Sequence, residues 1–190
     1  MTTGVGRPAE DETGQRVWQG WCVPSTTSGD QSLPQITTLA NRNVLVTWVD
    51  NSQTGGDTSY WAVRAQILGP TGTKFLVKDY TFAYQYEPDV VATPDGGFAI
   101  AWRHTDALND YLSIRYFNAS GQALTASYAL GRDSANGGKE GQVALAALAN
   151  GTFVATWTEQ TPAAGFAFSI CGSLTRLRAT RGACMLWPSS

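Results

Sequence analysis

A tryptophan closes the same short pattern three times in this chain, at Trp48, Trp102 and Trp157, 54 and 55 residues apart. A fixed period of this length belongs to repeat architectures, in which each unit is one supersecondary element that buries its faces against its neighbours. The first copy runs from Pro34-Gln35-Ile36 through Asn41-Arg42-Asn43 to Val44-Leu45-Val46-Thr47-Trp48. The second runs from Pro88-Asp89-Val90 through Asp95-Gly96-Gly97 to Phe98-Ala99-Ile100-Ala101-Trp102, and the third from Gln142 through Asn150-Gly151-Thr152 to Phe153-Val154-Ala155-Thr156-Trp157. The apolar stretches on either side of each turn have the length and alternation of strands, and Asp-Gly or Asn-Gly readily takes positive φ. Each copy therefore opens with a β-hairpin.

After the tryptophan comes a polar loop, Asp50 to Asp57 or His104 to Asp110, then an alternating third strand, Tyr60 to Ile67 or Tyr111 to Phe117. A glycine turn leads to a weaker fourth strand, Phe75 to Val77 or Ala123 to Tyr128. The expected fold is all-β: antiparallel four-stranded repeats stacked as a partial, about three-bladed, β-propeller. Burial is the reason, since a lone sheet with two partly apolar faces covers neither, and the tryptophans fill equivalent places between sheets. The expected divisions are an N-terminal segment at 1–30, poorly structured or a remnant of a preceding blade, repeats at 31–84 and 85–139, an incomplete repeat at 140–170, and an aberrant tail at 171–190. With that tail the chain reads as a truncated or shifted piece of a longer repeat protein.

Composition excludes several classes. Only 15% of the 190 residues are charged, below the roughly 25% of ordinary soluble domains, which argues against coiled coils and charge-rich disorder. With 13 Lys+Arg against 15 Asp+Glu, no positive surplus exists to attract a phosphate backbone, so nucleic acid is not an expected partner. No apolar run approaches the ~20 residues of a spanning helix, so membrane insertion is not expected. Met1 to Glu12 also lacks the basic start and apolar stretch of a secretory signal. Cys22, Cys171 and Cys184 contain no C-x-x-C, which argues against zinc. A Cys171–Cys184 bridge and three free thiols both stay open.

The pattern resembles the propeller-like repeats of large bacterial secreted and cell-surface proteins that accompany haemolysin-type calcium-binding regions. It does so over Pro34 to Trp48 with Val63 to Gln66, Glu87 to Trp102 with Ile114 to Gly121, and Gln142 to Trp157. The resemblance implies a secreted or cell-surface, non-enzymatic repeat module with a scaffold or adhesive role, and it supplies no catalytic residues. A carbohydrate-binding propeller and a propeller glycoside hydrolase fragment are the alternatives.

Candidate chemistry lies in the loops. Asp50-Asn51-Ser52-Gln53-Thr54-Gly55 offers oxygens at alternate positions like the start of an EF-hand loop, but Trp61 stands where that motif has its bidentate Glu. This loop, and Asp106, Asn109 and Asp110, therefore read as hairpin caps. No cofactor is expected, with calcium as the alternative. Trp102 follows Asp95 by seven residues, not the five of a sialidase Asp-box, and Glu87, Asp89, Glu140 and Glu159 read as surface or strand-start polars. No enzyme activity is expected. His104, the one histidine, aligns with Asp50 and Glu159 and reads as a solvated loop position. Asn118 and Asn150 head glycosylation-type triplets in turns that favour Asn for conformational reasons. For a glycan or cell-surface ligand the residues to watch are Tyr60, Trp61, Arg64, Asp110, Tyr111 and Arg115, just beyond the polar loops in two copies. Open ends of the array predict self-association through exposed blade faces.

Overall fold

A computed structural model of the chain describes residues 8–10, 16–18, 28–57, 60–68, 74–79, 83–105, 110–131, 139–149, 153–161, 165–174 and 185–187. Three four-stranded antiparallel meanders dominate it. After a small hairpin, β1 (Pro8–Glu10) and β2 (Arg16–Trp18), sheet 1 contains β3 (Gln31–Thr38), β4 (Val44–Asp50), β5 (Ala62–Leu68) and β6 (Lys74–Leu76). Sheet 2 contains β7 (Tyr84–Ala92), β8 (Phe98–Thr105), β9 (Asp110–Phe117) and β10 (Tyr128–Gly131). Sheet 3 contains β11 (Lys139–Ala147), β12 (Phe153–Thr161), β13 (Gly165–Leu174) and β14 (Met185–Trp187). The first strands pack side by side, β7 between β3 and β11. This is the partial propeller expected from the repeat. The fourth strand of sheet 2 starts at Tyr128, later than expected, because Ala123 makes only an isolated bridge to Phe117. Cys171 lies on β13, whereas Cys22, Cys184, Asp106, Asn109 and Asn150 are outside the described residues.

The turns that join the first and second strands of sheets 1 and 2 share one design. Asn41 and Asp95 each accept the N–H two residues on, from Asn43 at 3.0 Å and Gly97 at 3.3 Å. The residue between is left-handed in both, Arg42 at φ 66° and Gly96 at φ 88°. A glycine suits that conformation, which an arginine adopts at a cost. Gly97 answers a different need: a Cβ there would stand 2.4 Å from the Phe117 carbonyl oxygen.

Alternation builds the core. Along β8, Phe98, Ile100 and Trp102 face sheet 1 and meet Leu45, Val63, Ala65 and Ile67. Ala99 and Ala101 face sheet 3, where Phe153, Ala155 and Trp157 fill the space that their small side chains leave. Trp48 occupies the same register on the other face of sheet 1, opposite Arg64, and is buried. Beside it Arg64 pairs with Asp50 at 2.6 Å, and Lys78 pairs with Asp57, all four side chains almost fully enclosed. The polar loop from Asp50 to Asp57 thus carries enclosed ion pairs as well as a local capping bond. Asp50 closes β4, its Oδ1 taking the Ser52 N–H at 2.7 Å, so its carboxylate is already spent on protein partners.

His104 is also corrected. It lies within β8, 1% exposed, its ring 4.4 Å from Tyr111 in a stacked arrangement. β8 runs past Trp102, and the two-residue period carries His104 onto the inward face that Trp102 occupies. Among the described residues no helix is long and apolar enough to cross a membrane.

Candidate functional site

Each first strand carries a bulge, between Ser32 and Gln35, between Tyr86 and Asp89, and between Gly141 and Ala144. The residue at each bulge is left-handed, Leu33 at φ 51°, Glu87 at 50° and Gln142 at 51°. Their spacing matches that of the tryptophans, so the bulge belongs to the repeat. A bulge re-aims the side chain it carries. Only in sheet 2 is that side chain an acid.

Glu87 Oε2 accepts the Gln142 N–H at 2.8 Å, and Oε1 lies 3.9 Å from Arg103 Nη1. Arg103, placed opposite Tyr86 by strand register, donates from Nε and Nη2 to the two oxygens of Asp110 at 2.9 and 2.6 Å. Thr105 Oγ1 adds a 3.3 Å bond to Asp110. One guanidinium thus stands between two carboxylates, with the planar fork closed on Asp110.

An aromatic row leads into this cluster. Tyr60 lies 4.4 Å from Tyr84 by ring centroids, Tyr84 stacks on Tyr86 at 5.9 Å, and Trp61 stands 6.3 Å from Tyr86. Tyr60 is 51% exposed. It and Ala83 hold left-handed backbone, φ 57° and 71°, of the kind that costs about 1–2 kcal/mol per residue. The Gln85 N–H donates to the Trp61 carbonyl at 3.1 Å, tying the loop of sheet 1 to β7. Burial, with a smaller effect of Tyr84, raises the Tyr86 pKa against the pull of Arg103, which keeps the phenol neutral.

Two positions beyond the bulge, Asp89 Oδ2 accepts the Leu145 N–H at 2.6 Å. Burial raises its pKa in spite of that bond and one from Val90. A carboxyl raised in the fold is most favourable to folding when protonated, so its contribution is greatest at low pH and is lost as pH rises through the folded value. Asp89→Asn, which keeps the acceptor without the charge, is therefore expected to match or exceed wild-type stability at pH 7. The difference should vanish near pH 3, as urea melts at both pH values would check. A variant clearly weaker than wild type at pH 7 would contradict this.

The structure brings Tyr60, Trp61 and Asp110 of the expected set to one rim. Tyr111 is turned onto His104. Arg64 is enclosed with Asp50 and also donates to the Thr54 carbonyl. Arg115 donates to the carbonyls of Val77 at 3.0 Å and Thr125 at 2.9 Å, joining sheets 1 and 2. Tyr84, Tyr86 and Arg103 lie outside the expected set, and the sequence pattern marks Glu87 only as a surface or strand-start polar. The available signal was Tyr84-Gln85-Tyr86 ahead of Pro88, two aromatics on one strand face beside a proline that a regular inner strand does not accept. At the opposite end of sheet 2 a cleft of about 60 Å³, lined by Thr93, Phe98, Tyr116 and Phe153 among others, is well below the ~150 Å³ that accommodates a benzene ring.

No protein-family model and no curated protein matches the chain. Solved structures do. An endo-arabinase from Bacteroides thetaiotaomicron VPI-5482 superposes with a TM-score of 0.60 at 10% identity, over 90% of this chain and 66% of that one. An alpha-L-arabinanase from Penicillium chrysogenum, solved with arabinobiose, gives 0.56 at 14% identity over 82% and 49%. The Trypanosoma rangeli sialidase gives 0.52 at 11% identity over 94% and 32%. The chain spans under two thirds, about half and about a third of those proteins. At such identities the likeness establishes the fold, and it corrects two expectations. The resemblance to repeats of haemolysin-associated proteins gives way, because a turn, a strand and a tryptophan are the grammar of any antiparallel blade. The non-enzymatic expectation also gives way, because the three proteins named here, which share the fold, are enzymes.

Proposed function

We propose that this chain is part of a propeller glycoside hydrolase and that it binds its glycan across the rim formed by Tyr60, Tyr84, Tyr86, Arg103, Asp110 and Glu87. The observation that carries this reading is the tyrosine row running into a guanidinium flanked by two carboxylates. Aromatic faces pack on the C–H faces of sugar rings, while the charged groups offer donors and acceptors to hydroxyls. The fold shared with arabinanases and a sialidase supports hydrolysis rather than binding alone.

Hydrolysis breaks the glycosidic C–O bond, joins a water oxygen to the anomeric carbon and delivers a proton to the leaving oxygen. Asp89, raised by burial, suits the proton-donating role, and Glu87 the role of base or nucleophile. The incubation of purified protein with arabinan and with arabino-oligosaccharides tests the proposal by release of reducing ends. Glu87→Gln and Asp89→Asn are each expected to lower turnover about 100-fold or more with sugar affinity largely kept, and Tyr84→Ala to weaken affinity about tenfold. Turnover unchanged in both acid variants would refute these roles.

Binding without turnover is the second reading, favoured by the backbone N–H groups that already occupy Glu87 and Asp89. Sugar binding with no product would select it. A secreted or surface location accompanies either reading, since polymeric glycans do not cross membranes.

A further inference from the structure

We infer that the rim selects uncharged glycans and rejects those that carry a carboxylate. This rests on the glycan reading above and specifies its ligand class. Proteins recognise a sugar carboxylate best with an open guanidinium fork that can form two parallel hydrogen bonds. Here the fork of Arg103 is closed on Asp110 by bonds of 2.9 and 2.6 Å, and its remaining nitrogen faces Glu87 at 3.9 Å. The other two strand arginines of sheets 1 and 2 are committed elsewhere. Arg64 is held by Asp50 and the Thr54 carbonyl, and Arg115 by the carbonyls of Val77 and Thr125.

Glu87, Asp110 and Arg103 together leave the rim one negative charge in excess, with Asp89 two residues beyond Glu87 on the same strand. An incoming carboxylate would have to displace Asp110 from Arg103 and then sit beside two like charges. A neutral sugar meets no such opposition. Its ring lies on Tyr60 and Tyr84, its hydroxyl protons go to the carboxylate oxygens, and guanidinium hydrogens not used by Asp110 reach its oxygens. Selection thus follows from which partner already occupies the arginine.

Isothermal titration of the purified chain with arabinobiose and with sialyllactose, at low and at moderate salt, tests this. The neutral sugar is expected to bind at least about tenfold more tightly, with little salt dependence. Asp110→Asn opens the fork and should move the acid-to-neutral affinity ratio about tenfold toward the acid. Glu87→Gln should move it the same way, and carries the test alone if Asp110→Asn does not fold. Sialyllactose binding wild type as well as arabinobiose does would overturn the selectivity and leave the glycan reading standing. Binding of neither sugar overturns the glycan reading, and the selectivity with it. A ratio unmoved in folded variants would show that charge at this rim does not select.

Discussion

Trp102→Ala is expected to remove about 3–5 kcal/mol of folding stability, enough to lower the melting temperature by roughly 6–20 °C in a chain of this size. The indole is fully enclosed between sheets 1 and 2, among Phe98, Ile100, Leu45, Val63, Ala65 and Ile67. Its removal leaves a cavity that strands on both sides cannot close without breaking ladders. Trp102→Phe, which keeps most of the apolar volume, should recover much of the loss. Urea unfolding followed by far-UV circular dichroism measures both. A loss under about 1 kcal/mol for the alanine variant would mean that packing between blades does not hold the fold together. Among the described residues the indole N–H has no hydrogen-bond partner, so the expected effect is one of packing.

Arg64→Met should be nearly as damaging, at about 3–5 kcal/mol. The side chains of Arg64 and Asp50 are 6% and 1% exposed and 2.6 Å apart, so truncating the cation strands a carboxylate in the interior. The double variant Asp50→Leu/Arg64→Met should regain much of the stability, because an apolar pair needs no charge compensation. The pH dependence gives a second check. Burial pushes the Asp50 pKa up, but bonds from Ser52, helped by Arg64 and Lys74, outweigh it and leave it lowered. A carboxyl lowered in the fold stabilises above its unfolded value of about 3.9, and that contribution is lost as pH falls through the folded value. The gap between wild type and Arg64→Met should therefore be widest near neutrality and shrink below about pH 4. A gap independent of pH would mean that Arg64 acts only through the packing of its methylenes.

The rim was half legible before the fold was known. Tyr60, Trp61 and Asp110 stand next to the polar loops, and loop position is a property of the linear pattern. Their partners were not legible, because Tyr84, Tyr86, Arg103 and Glu87 reach the rim through strand register, a bulge and the approach of two sheets. Arg64 and Arg115 show the limit from the other side. Each follows a β-branched apolar residue, Val63 or Ile114, in corresponding strands, yet Arg64 closes an ion pair on the outer face of sheet 1 while Arg115 joins sheet 2 to sheet 1. An arginine's partner is set by whatever lies across the interface, which the residues around it in the chain do not encode.

The linear sequence determined the first three strands of sheets 1 and 2, their hairpin turns and the stacking of like sheets, since each follows from a local period: two residues for a strand face, a left-handed turn for the reversal, about 54 for the unit. Tertiary structure alone decided which charges are buried, that His104 is core, and that an acid at one bulge meets a guanidinium from the neighbouring strand. Burial and charge pairing depend on distances between segments far apart in the chain. Those distances exist only once the sheets have closed on one another.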